Sequence, residues 1–293
     1  DVGTQISTDA ETIRNDMSDV VTANSRRVQE ALRSLEEFGK LVAPKFSATI
    51  KQIRYRCYVL QQELACLVQS TGTPNLQTIR FRKLDDAVLY VLITESVCRL
   101  PWQRVVDAAI RGGADVLQLR EKQLSDRELL SRARWMADAC RDADRLFIVN
   151  DRADVAVAAH ADGLHVGQDE IRAADARAVL RPDQILGIST HTILQAQTAQ
   201  SDGADYIGVG PMFPTNTKLF SAFPGLALVK DVTHRLPIPA FAIGGIGPSN
   251  LEAVLEAGGS RVALTSSVAD SENPETVVRE LKCRLEAKLT KNP

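Results

Sequence analysis

From Ala87 onward the chain alternates short β-branched apolar runs with helix-length segments, and this rhythm limits the folds open to it more than any other feature. The runs are Val88 to Thr94, Asp115 to Arg120, Leu146 to Asn150, Gly163 to Gly167, Ile185 to Ser189, Tyr206 to Gly210, Ala240 to Gly244 and Arg261 to Thr265. Between them lie Trp102 to Arg111, Asp126 to Ala143 and Asn250 to Ala257, with Gly-rich closures such as Arg111-Gly112-Gly113-Ala114-Asp115 and Asp202-Gly203-Ala204-Asp205. Glycine there suits the left-handed residue that ends a helix before the next strand. Near-continuous apolar strands separated by helices predict a parallel sheet covered by helices. Eight such units over 87–293 predict an α/β fold of the (β/α)8 TIM barrel type. An open doubly wound sheet is the alternative, and the strand count favours closure.

Residues 1–70 read differently. Ile13, Met17, Val20, Asn24, Val28, Ala31, Leu35 and Phe38 recur in steps of three and four, as do Phe46, Ile50, Ile53, Cys57, Leu60, Leu64 and Leu67, with Gly39 and Pro44 between them. The pattern predicts a small helical hairpin domain whose apolar stripes dock on the barrel or on a second copy, making a homodimer. Residues 71–86, opening on Thr-Gly-Thr-Pro-Asn, read as a linker.

Net charge is −2 and the pI about 6.2, so there is no global electrostatic footprint for nucleic acid or an acidic membrane. An anionic ligand must be held by a local cluster. Cys57, Cys66, Cys98, Cys140 and Cys283 have neither zinc nor disulfide spacing, and no apolar run approaches the roughly 20 residues of a membrane span. A cytoplasmic protein acting on small molecules is expected.

A closed barrel would gather its strand ends on one rim, where enzymes of this architecture work. Gly244-Gly245-Ile246-Gly247 follows the seventh run and Thr265-Ser266-Ser267 the eighth, at the usual phosphate-binding position of such barrels. Asp151 and Glu170 follow the third and fourth runs and suit a magnesium ion that also takes phosphate oxygens. Asp169 is an alternative ligand, and an Asp placed like Asp151, taken alone, is more often the N-cap of a helix, here one starting near Arg152. Asn150 offers a neutral hydrogen-bonding group beside Asp151. Arg120, Glu121 and Lys122 close the second run, and Lys218 lies in an unusually long segment, Pro211 to Pro224, with the hydroxyls of Thr215 and Thr217. Those cations suit a second anion, such as a diphosphate. His165 and His191 read as satisfied core or rim residues without a catalytic role.

Taken in order, Gln118-Leu119-Arg120-Glu121-Lys122, Asn150-Asp151, Gly163 to Gln168, Gly187-Ile188-Ser189, Phe213 to Lys218 and Ala242 to Ile246 resemble the thiamine phosphate synthase family. The resemblance runs from about Ala87 to Leu289. It implies a barrel that joins hydroxymethylpyrimidine diphosphate to a thiazole phosphate with magnesium, releasing diphosphate. By position, Gln118, Leu119, Arg120, Glu121, Lys122, Asn150, Ser189 and Lys218 would hold the pyrimidine diphosphate, with Arg120, Lys122, Ser189 and Lys218 acting in catalysis. Asp151 and Glu170 would hold the metal; Thr215, Asn216, Thr217, Gly245, Thr265 and Ser266 would hold the thiazole phosphate. The family commonly has Asp where Glu170 stands. A thiazole tautomerase branch of the same fold is the competing enzyme, and a catalytically idle phosphate-binding barrel with a partner-binding hairpin the competing class. Residues Asn24 to Phe38 resemble a helical domain fused to this synthase in some bacteria and linked to hydroxymethylpyrimidine phosphate kinase activity. No Gly-rich nucleotide motif supports a kinase in residues 1–86, and packing or dimerisation is its default role.

Overall fold

The computed structural model describes residues 17–69, 76–214 and 223–291, which divide into two compact units, one ending at Asn75 and the other starting at Leu76. In the first unit, α1 (Met17–Val42) and α2 (Pro44–Gln69) are joined by Ala43 alone. The helix runs through Gly39 and ends only before Pro44, whose ring is tolerated at the first position of the next helix. Gly39 lets the helices meet at the turn, because a Cβ there would lie 3.1 Å from the Phe46 ring and 3.2 Å from Ser47 Cα. Arg54 Nε bonds Glu36 Oε2 at 2.9 Å across the pair, while Val28, Leu35, Phe38, Leu60 and Leu64 are exposed.

The second unit opens with α3 (Leu76–Asp86), followed by β1 (Leu89–Ile93), a single 3₁₀ turn and α4 (Trp102–Gly112). The repeat continues as β2 (Val116–Leu119), α5 (Asp126–Asp142), β3 (Leu146–Asn150), α6 (Ala153–Ala158), β4 (Gly163–Val166), α7 (Ala173–Val179), β5 (Ile185–Thr190) and α8 (Ile193–Ser201). It closes with β6 (Tyr206–Val209), α9 (Gly225–Arg235), β7 (Ala240–Ile243), α10 (Leu251–Glu256), β8 (Val262–Leu264), α11 (Ser266–Ala269) and α12 (Pro274–Lys291). All eight strands are parallel, and β8 pairs with β1 to close the barrel, so the open-sheet alternative is excluded. Among the described residues no helix is long and apolar enough to cross a membrane.

Strand periodicity sorts the side chains into two layers. Leu89, Val91, Ile93, Leu117, Leu119, Phe147 and Val149 face the helices, where they form the larger core. Tyr90, Leu92, Val116, Leu146, Ile148, Ile185, Tyr206, Phe241 and Ala263 fill the barrel interior. Leu84 of α3 and Ala87 just after it join that interior cluster, so residues 76–86, expected as linker, form a helix whose last turn packs into the barrel. Arg80, 9% exposed, fastens it: Nε donates to Asp162 Oδ1 at 2.6 Å, and the guanidinium also pairs with Asp183. These partners lie about a hundred residues away in sequence, which is why local composition suggested only a tether.

Candidate active site

At the C-terminal ends of the strands the barrel opens into a cleft. Gln118, Arg120, Lys122, Asn150, Asp151, Glu170, Ser189, Gly245, Thr265 and Ser266 all line it. Thr215, Asn216, Thr217 and Lys218 lie outside the described residues.

Two expected residues face elsewhere. Leu119 is 1% exposed and packs in the layer between strands and helices. Glu121 accepts a hydrogen bond from the Glu95 backbone N at 2.7 Å and lies 3.6 Å from Arg132. Both have the wrong parity: on a strand with Gln118 pointing inward, Leu119 points outward, and the alternation carries Arg120 and Lys122 to the cleft but not Glu121. Asp169, the alternative metal ligand, is likewise absent from the lining, which takes Glu170 instead.

Asp151 is not a helix cap. The residue preceding α6 is Arg152, which bonds Asp126 and Asp154, while Asp151 sits at φ 62°, a left-handed conformation uncommon outside glycine. Its backbone N donates to His165 O at 2.8 Å, and its carboxylate turns into the cleft. Lys122 Nζ stands 3.3 Å from Asp151 Oδ2 and 3.4 Å from Glu170 Oε1, bridging the two acids. Burial, and then the Glu170 charge, push the Asp151 carboxyl above its usual range, against the pull of Lys122 and Arg120. Two oxygen donors held this way favour a hard cation, and magnesium bound with phosphates needs only one or two protein carboxylates. Among the described residues no group of three ligating side chains exists, so such an ion would depend on substrate oxygens and water for the rest of its shell.

The opposite wall is backbone and hydroxyl. Gly244 and Gly245 have φ of 102° and 65°, and a Cβ on Gly245 would lie 2.6 Å from Pro214 O, so the turn requires glycine twice over. Asn250 holds it in shape, accepting from Gly247 N and donating to Gly245 O, each at 2.9 Å. Sequence reasoning missed Asn250; an Asn closing a Gly-rich turn is the signal that would have found it.

The floor is aromatic. His165 lies between Tyr206, 3.0 Å from Nδ1, and Ser189, 2.9 Å from Nε2. The expectation of a satisfied histidine holds, although its position in the cleft was not foreseen. His191 also lines the cleft and bonds Gly210 O at 2.6 Å. Burial, helped by the Arg120 charge, pushes the His165 imidazole down to about 4. Its second nitrogen meets a phenol instead of a carboxylate, so the Ser189–His165 contact lacks the base strength of a nucleophilic dyad. The cleft is built for binding anions and stabilising charge.

A family model described as thiamine monophosphate synthase matches residues 89–268, and one described as the ThiD2 family matches residues 1–63. A thiamine-phosphate synthase of Rhodopirellula baltica is 41% identical over 274 residues, covering 92% of this chain and 72% of the relative. One from Thermosynechococcus vestitus is 41% identical over 285 residues, covering 97% and 78%. Among solved structures, a thiamine phosphate pyrophosphorylase from Pyrococcus furiosus superposes with a TM-score of 0.65 at 32% identity, covering 70% of this chain and 98% of that one. A 3-hexulose-6-phosphate synthase, at a TM-score of 0.51 and 18% identity, shares the fold alone.

Proposed function

The chain belongs to the thiamine-phosphate synthase family of transferases, and from that membership we propose that its barrel joins hydroxymethylpyrimidine diphosphate to a thiazole phosphate, releasing diphosphate. The observation that carries the reading is a single cleft with a cationic, carboxylate-bearing wall facing a wall of glycine backbone and hydroxyls. A diphosphate suits the first wall and a monophosphate the second.

Arg120 and Lys122, joined by Lys218 from the long segment, hold the diphosphate, and Asn150 and Ser189 add neutral hydrogen bonds. Gly245, Thr265 and Ser266, with Thr215, Asn216 and Thr217, hold the thiazole phosphate. Asp151 and Glu170 would ligate magnesium, whose charge would help stabilise the departing diphosphate. With a substrate in place, Lys122 exchanges its two carboxylate partners for phosphate oxygens. The bond between the pyrimidine methylene and the diphosphate oxygen breaks with its electron pair leaving on the diphosphate, and the thiazole nitrogen lone pair captures the resulting carbocation. Alignment and charge stabilisation then supply the rate, in keeping with a cleft whose described residues include no activated nucleophile.

For the hairpin, the exposed stripe of Val28, Leu35, Leu60 and Leu64 supports packing against a second copy of itself as a homodimer. The free thiols of Cys57, Cys98, Cys140 and Cys283 support a reducing cytoplasm. The deciding assay supplies both substrates with magnesium and measures thiamine phosphate against released diphosphate. Equal amounts are expected. Thiazole isomerisation without coupling would indicate the tautomerase, and no turnover an idle barrel.

A further inference from the structure

A run of hydrogen bonds crosses the barrel floor and returns to the cleft. Gln118 Nε2 donates to Tyr90 Oη at 2.7 Å, and Tyr90 Oη lies 2.9 Å from Tyr206 Oη. Tyr206 Oη lies 3.0 Å from His165 Nδ1, and His165 Nε2 lies 2.9 Å from Ser189 Oγ. Both ends, Gln118 and Ser189, line the cleft, whereas Tyr90 and Tyr206 are 2% and 1% exposed. Each phenol has one hydrogen to give, and a neutral imidazole has one N–H. Both phenols are buried, so each of their hydrogens must find its acceptor within the run, and one fixed direction then fixes every link.

Gln118 Nε2 has only hydrogens to offer, so it sets that direction. Tyr90 accepts from it and donates to Tyr206. Tyr206 donates to His165 Nδ1, so the imidazole carries its hydrogen on Nε2 and gives it to Ser189. The Ser189 hydroxyl, having accepted, keeps its own hydrogen for the cleft. At the other end Gln118 Oε1 is buried, with no partner among the described residues. Reversing the run would require turning the Gln118 amide and all the intervening hydrogens together.

We propose that Tyr90, Tyr206 and His165 are positioning residues, whose one-way chain presents Ser189 to the substrate as a hydrogen donor. A hydroxyl that donates suits an anionic oxygen, such as one on the diphosphate arm of an aminopyrimidine, and in this the proposal rests on the functional reading above. The backbone makes room for the chain. A Cβ on Gly187 would clash with the hydroxyl end of the Tyr206 ring, and one on Gly208 would lie 3.5 Å from His165 Cε1.

The test begins with nitrogen NMR of the full-length protein carrying labelled histidine, the His165 signals being identified by their loss in His165→Gln. The expected state is a single tautomer with Nε2 protonated and Nδ1 bare; a proton on Nδ1 overturns the proposal. The second measurement is a cycle between Tyr206→Phe and Ser189→Ala. Tyr206→Phe keeps the ring and cuts the chain, so kcat/KM for the pyrimidine diphosphate should fall about tenfold, the worth of one oriented hydrogen bond, with KM for the thiazole phosphate unchanged. In the Ser189→Ala background the same change should cost less than about twofold, because its effect runs through Ser189. Additive losses overturn the chain. Absence of synthase turnover in the unaltered protein would sink the functional reading alone, leaving the tautomer to judge the chain.

Discussion

Leu84→Ala tests whether α3 belongs to the barrel or merely leads to it. Leu84 is 2% exposed and sits among Tyr90, Val116, Leu146 and Ile185 at the end of the barrel opposite the cleft. The substitution removes three carbons, and about 0.8 kcal/mol each gives about 2.4 kcal/mol of lost burial. A barrel interior collapses little, so if roughly 40 Å³ stays empty the cavity adds about 1 kcal/mol. The expected destabilisation is therefore about 3 kcal/mol. The assay is urea unfolding followed by tryptophan fluorescence, because both tryptophans, Trp102 and Trp135, lie in the barrel unit with ring centroids 5.0 Å apart, and so report that unit alone. With a slope of about 2–3 kcal/mol per molar for a domain of this size, the midpoint should drop by about 1 M or more. Leu60→Ala, on the exposed face of α2, should leave this transition in place. A shift below about 0.3 M in Leu84→Ala would refute the claim that α3 closes the barrel.

Asp151→Asn removes one of the two clustered carboxylates and should lower synthase turnover by at least about a hundredfold with an unchanged circular dichroism spectrum; near-normal turnover with a retained magnesium requirement would take Asp151 out of the site. Gly245→Ala forces a side chain into a left-handed conformation and against Pro214 O, so KM for the thiazole phosphate should rise about tenfold while that for the pyrimidine diphosphate holds. His165 has a folded pKa of about 4, below its unfolded value, so between about 6.5 and 4 the unfolded chain binds the extra proton and stability falls as the pH falls. The contribution lost is on the order of 3 kcal/mol, and His165→Gln, measured by urea unfolding across that window, should show a correspondingly shallower pH dependence; an identical dependence in both proteins would contradict a buried neutral imidazole.

The eight strands were legible because each is a run of apolar residues that neither helix period nor turn chemistry explains, and their number implied closure. Most of the cleft was legible for the same reason, since closure places every strand end on one rim. Leu119 and Glu121 show what a list of neighbours loses, for alternation within β2 separates them from Gln118, Arg120 and Lys122 as soon as one inward residue is known. Asp151 looked like a cap because a carboxylate before a helix usually is one; only its backbone conformation and the Lys122 contact distinguish the two roles. Tyr90 and Tyr206 carried no signal at all, because an aromatic residue inside an apolar strand reads as packing.

What the sequence determined by itself was the order of elements, the barrel and the chemical character of its rim, since these follow from local periodicity and from residue types placed at strand ends. The tertiary structure decided which side chains face inward, how α3 is anchored by Arg80, and how Gln118, Tyr90, Tyr206, His165 and Ser189 meet. Those contacts join residues 24 to 116 positions apart, and their directions depend on strand register and closure, which no stretch of sequence specifies alone.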